Sequence, residues 1–144
     1  MINNDTIQLL KECDSGSKMA VSSLDEILGE VRDSGLKQLL SESREHHKAL
    51  GDELHSMLLQ CGSEEKEPSA IAKGMSWMKT NMKMGMEHND ATAADIITDG
   101  CNMGVKTLHK FLNQYDAAAE SSRDICKRLI SIEDTLCREL RSYL

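Results

Sequence analysis

The sequence predicts an all-α chain that folds as an antiparallel four-helix bundle with an additional crossover helix, and three observations carry that expectation. Two long segments show unbroken seven-residue hydrophobic repeats, the pattern of helices packed side by side at a shallow angle. No stretch of comparable length shows the strict alternation of a strand. The composition is 40% apolar, with one proline and only four aromatics (Trp77, Phe111, Tyr115, Tyr143), so the core must pack through Leu, Ile, Met and Ala, which suits helices better than sheets. At 144 residues the chain is about one domain long, and 1–144 reads as a single bundle.

The first helix is expected over about 5–33. Its inward positions run Ile7, Leu10, Asp14, Ser17, Val21, Leu24, Leu28 and Val31, in steps of three and four. Asn4 or Asp5 can cap its start, and Ser34-Gly35 supplies the turn. The second, over about 35–61, repeats the device with Leu36, Leu40, Ser43, His47, Leu50, Leu54, Met57 and Cys61, before Gly62 ends it. Two helices joined by so short a turn must lie antiparallel. The polar stretch Gly62-Ser63-Glu64-Glu65-Lys66-Glu67-Pro68 is a linker whose proline is well placed in a first helical turn.

A Met-rich helix follows over about 68–86, with Ile71, Met75, Met78, Met82 and Met86 on one stripe. The fourth segment, about 91–115, carries Ala93, Ile97, Gly100, Gly104, Leu108, Phe111 and Tyr115, and its glycines invite close backbone approach. The last, about 120–143, carries Ile125, Leu129, Ile132, Leu136, Leu140 and Tyr143. At about 1.5 Å per residue, four of these helices come to roughly 35 to 40 Å, while the Met-rich one is shorter, near 28 Å. If the Met-rich helix runs back along the outside of the first hairpin, the second hairpin packs beside the first with its leading helix parallel to the second helix. That is the ferritin-like arrangement with its long crossover.

The run Gly74-Met75-Ser76-Trp77-Met78-Lys79, the stretch from Asp95-Ile96-Ile97 through Cys101 to Tyr115, and the opening Thr6 to Val31 together resemble an uncharacterised bacterial ferritin-like family of the domain-of-unknown-function type. The likeness extends over nearly the whole chain. It implies a four-helix bundle with a crossover helix and no established activity.

Charge narrows the function classes. A formal charge of −7 and a pI near 5.2 leave no basic surface to neutralise phosphates, so neither nucleic acid nor an anionic membrane is an expected partner. No apolar run reaches the roughly 18 to 20 residues that span a bilayer, and Met1-Ile2-Asn3-Asn4-Asp5 lacks the features of a signal peptide, so the chain reads as cytoplasmic. Its five cysteines form no C-x-x-C pair and read as buried free thiols.

Ferritin-like di-iron proteins use a Glu from each of two helices and a Glu-x-x-His from each of the other two, because that spacing aims both ligands inward. Here Glu42 and Glu45 precede His46 and His47 by other spacings, and the last helix has no histidine. Counting turns from the hairpins brings His47, Asp99 and Glu133 near mid-bundle. The metal candidates are therefore His46, His47, Asp99 and Glu133, an incomplete set for iron or manganese, set against a plainer reading in which His47 and Ser43 are core polar groups and Glu133 lies on a flank. A second candidate is the thioether stripe Met75, Met78, Met82 and Met86 with His88, whose soft donors suit Cu(I), a partner helix or ordinary packing. No phosphate loop or nucleophile–histidine pair is present. The sequence thus predicts a non-enzymatic bundle, interaction-type or stress-associated, that pairs with itself or with a helical protein. A metal-binding bundle with a degenerate centre is the alternative.

Overall fold

A computed structural model of the chain describes residues 3–63 and 89–144. The predicted Met-rich helix over 68–86, and with it Met75, Met78, Met82, Met86 and His88, lies outside the described residues.

The first hairpin consists of α1, Asn4–Leu28, and α2, Ser34–Gln60. α1 starts at Asn3, whose side chain accepts from the Thr6 N–H at 2.9 Å, so the cap sits one residue ahead of the expected Asn4 or Asp5. α1 also ends at Leu28, five residues short of the expected 33. The turn is Gly29–Asp33 rather than Ser34-Gly35, because Asp33 takes the cap position of α2 and accepts from the Leu36 N–H at 2.8 Å. An aspartate aimed at the third N–H outweighs a Ser-Gly pair, which α2 simply absorbs into its first turn. At its far end α2 stops as expected: Gly62 adopts φ +69°, and the Ser63 N–H reaches back to the Leu58 carbonyl at 3.0 Å.

The second hairpin is α3, Asp90–Gln114, and α4, Glu120–Glu139, the latter running on into a 3₁₀ turn, Leu140–Tyr143. Each end of the bundle is tied across the hairpins by charged or polar side chains. At one end the Asp90 carboxylate accepts from the Arg32 and Asp33 N–H groups at 2.8 and 2.9 Å. At the other, Asn3 donates to the Ala117 carbonyl at 2.7 Å, and Thr6 Oγ1 accepts from the Ala119 N–H at 2.8 Å. Asp90→Ala orphans two turn N–H groups and is expected to lower stability by about 1 to 2 kcal/mol in urea unfolding, with helix content unchanged.

The core falls into two apolar halves. One collects Leu24 and Ile27 from the end of α1, Val31 from the turn after it, Leu36 and Leu40 from the start of α2, Ala93, Ala94, Ile96 and Ile97 from the start of α3, and Leu136 and Leu140 from the end of the chain. The other collects Leu9, Leu10 and Cys13 of α1, Leu50, Leu54 and Leu58 of α2, Leu108 and Leu112 of α3, and Ile125, Cys126, Leu129 and Ile130 of α4. These groupings fix the directions: α1 runs parallel to α4, and α2 parallel to α3. α1 packs against all three other helices, α4 against α2 as well as α3, and the bundle is closer across the α1–α4 diagonal than across the other. Among the described residues no helix is long and apolar enough to cross a membrane.

Candidate functional site

Between the two apolar halves the bundle has a polar waist. It is built from turns of all four helices, where the heptad stripe places Asp14 and Ser17 on α1, Ser43 and His47 on α2 and small residues on α3, and where Glu133, one residue off the α4 stripe, turns inward. Asp14, Ser17, Ser43, His47 and Glu133 are all buried. Burial of so many polar groups costs free energy unless they find partners, so each partner matters.

His47 is 1% exposed. Its Nδ1 donates to the Ser43 carbonyl one turn back, at 2.8 Å, with Ser43 Oγ also 3.4 Å away. That bond puts the ring proton on Nδ1 and turns Nε2 across the bundle toward Glu133, whose Oε1 lies 3.6 Å away. The separation exceeds a hydrogen bond but leaves acid and base facing each other with both side chains buried. Burial pushes the Glu133 carboxyl above the ordinary carboxylate range, and His47 beside it works in the opposite direction. Neither His47 Nε2 nor Glu133 Oε2 makes a hydrogen bond among the described residues.

Gly104 is what lets Glu133 sit there. A Cβ at that position would lie 2.6 Å from Oε2 and 2.9 Å from Oε1 of the carboxylate. The expected close approach at the α3 glycines is thus to a side chain. Gly104→Ala sets a helix-propensity gain of about 1 kcal/mol against an overpacking cost of about 1 to 3 kcal/mol. A net loss of about 1 kcal/mol is the expected result in denaturant melts, and a net gain would show that the carboxylate is not held at this point.

Of the four residues singled out for a metal, the structure brings His47 and Glu133 together and leaves His46 and Asp99 on exposed faces of their helices. Each of the latter is one residue, about 100° of helical rotation, from an inward position. Glu133 is inward and not on a flank. Among the described residues no group of three or more His, Cys, Asp or Glu converges in a metal-binding arrangement.

Sequence reasoning missed Glu12, which is only 7% exposed. It lies off the heptad stripe, on the side of α1 that faces α3, and it lines the same small cleft as Glu133. The signal was the run of small residues Ser15, Gly16 and Ala20 on that second face, which marks a flank able to pack closely against another helix. On the other side of the waist, Asp14 shares a groove between α1 and α2 with His47, and its carboxylate is 3.2 Å from Lys18. None of the five cysteines is in a disulfide, and four of them are buried. Cys101 is buried, and its thiol is pushed well above the ordinary range, chiefly by burial and then by Glu133 nearby.

Residues 5–114 match the family model described as "Domain of unknown function (DUF2383)". Among solved structures, the crystal structure of Dps92 from Deinococcus radiodurans is similar in fold: the TM-score is 0.77 at 12% sequence identity, covering 97% of this chain and 86% of that one. No curated protein matches.

Proposed function

The chain belongs to the family described as Domain of unknown function (DUF2383) and has a ferritin-like helical fold, and on that premise we propose that it is a non-enzymatic, cytoplasmic bundle that works by association with a helical partner or a second copy of itself. The observation that carries this reading is the His47–Glu133 contact. The two inward groups at the waist face each other as acid and base, while His46 and Asp99 stand on outer faces. A redox centre needs several donors converging on open coordination positions. A matched buried pair serves the fold by holding α2 and α4 in register at mid-height. Sedimentation at several concentrations tests the association: a mass that rises with concentration supports a second copy as the partner, whereas monomer throughout removes self-pairing.

A second reading, a metal-binding bundle with a reduced centre, is favoured by the buried Nε2 of His47 and Oε2 of Glu133, neither of which has a hydrogen-bond partner among the described residues. Metal analysis of protein purified without chelator decides between the two. Near-stoichiometric iron or manganese, lost in His47→Ala, supports the second reading and overturns the purely structural role of the waist. Protein free of both metals after growth in supplemented medium supports the first.

A further inference from the structure

Cys13 of α1 and Cys126 of α4 are each 0% exposed and belong to the same apolar half of the core. Their levels match by counting. α1 and α4 run parallel and are tied at one end, where Thr6 Oγ1 accepts from the Ala119 N–H at 2.8 Å. Cys13 stands seven residues beyond Thr6 and Cys126 seven beyond Ala119, so both lie two turns, about 10 Å, from that tie. The diagonal between α1 and α4 is the shorter one of the bundle, and the two thiols meet across it in a side-chain hydrogen bond. We propose that Cys13 and Cys126 form an oxidisable dithiol, which a small peroxide converts to a reversible disulfide that locks α1 to α4 across the two hairpins.

The two sulfurs take different parts. The hydrogen bond between them pushes the Cys13 thiol up and holds Cys126 below the ordinary thiol range, and the Arg123 charge adds to the second effect. Cys126 is therefore the attacking sulfur. Its thiolate takes one oxygen of hydrogen peroxide, the O–O bond breaks, and the other oxygen leaves as hydroxide, which the released thiol proton turns into water. Cys126 is then a sulfenic acid. The Cys13 sulfur attacks it, the S–S bond forms, the S–O bond breaks, and the hydroxyl departs with the Cys13 proton as a second water. Two thiols lose two electrons and one peroxide gains them. The oxidant has room close by: a cavity of about 30 Å³ between α1, α3 and α4 holds a molecule of the size of water or hydrogen peroxide. It is lined by Glu12 and Gly16, within one turn of Cys13, and by Leu129, one turn beyond Cys126. Leu108 lines it as well, and its carbonyl accepts from the Cys126 thiol at 3.9 Å.

The test uses the wild-type chain, so it does not depend on a core variant folding. Full-length protein is reduced, freed of reductant and treated with hydrogen peroxide. It is then unfolded in the presence of an alkylating agent, and its peptides are mapped by mass spectrometry. The expected product is a chain lighter by two hydrogens that carries a Cys13–Cys126 linked peptide, and dithiothreitol restores both thiols. Half-buried Cys61 reports that the oxidant was active. Oxidation of Cys61 with Cys13 and Cys126 both still alkylated overturns the proposal, and so does a link joining other cysteines in place of this pair. The bond closes most of the chain into one loop, so the urea midpoint of the cross-linked protein is expected to rise above that of the reduced protein. A midpoint that stays the same or falls overturns the locking role.

Discussion

Replacing His47 with leucine is expected to lower stability by about 3 kcal/mol near neutral pH, because it removes one member of a buried acid–base pair and leaves the other facing hydrocarbon. The expected loss is pH-dependent, with a definite sign. Burial raises the Glu133 carboxyl above its unfolded value, so the folded state holds a proton that the unfolded state releases. The contribution of Glu133 to stability is therefore fully present below the ordinary carboxylate range and is lost as pH rises through the raised value. His47 moderates the rise in the wild type, and without it the carboxyl is pushed further up. The gap between wild type and His47→Leu should accordingly widen from mildly acidic to neutral pH and shrink in acid. Urea melts at several pH values measure it.

The second large effect comes from the division of the core. Leu40 lies in one apolar half and Leu54 in the other, and both are 0% exposed. Each leucine-to-alanine change removes a fully buried side chain from a packed cluster and is expected to cost about 2 to 5 kcal/mol, from lost transfer free energy plus the residual cavity. The two residues share no cluster, and the waist stands between them. Their effects should add to within about 0.5 kcal/mol in the double variant. A strong departure from additivity would mean that the two halves pack as one continuous core.

These sites show how far the sequence alone reaches. The α2 stripe was legible nearly residue by residue: Leu36, Leu40, Ser43, His47, Leu50 and Leu54 are all buried, because α2 turns one face to its neighbours. α1 was harder. It packs against three helices, so its buried set widens to include Glu12, Ser15 and Ser23, off the single seven-residue seam, while Ile7, Val21 and Leu28 are only half-buried. A one-stripe rule finds the centre of such a face and misses its flank. On α4 the same widening leaves Ile132 half-buried and sends Glu133 inward, as contacts with both α2 and α1 require. The parallel pairing of α2 with α3 followed from helix lengths and the long connection. The levels that align His47 with Glu133 followed from counting turns, since rise per residue is nearly constant. What counting could not supply was azimuth: His46 and Asp99 share the right height but point the wrong way. The hairpin turn also shifted by several residues, because cap strength at Asp33 depends on where a carboxylate can reach, which composition does not reveal.

The account turns on His47 and Glu133 acting as one unit, and a double-mutant cycle between them tests that most directly. His47→Leu and Glu133→Met, singly and together, are unfolded in urea at neutral pH. The single changes should be more costly than the double, in which both polar groups give way to apolar ones, with a coupling of at least about 1 kcal/mol. Single effects that simply sum, to within about 0.5 kcal/mol, would contradict the pair.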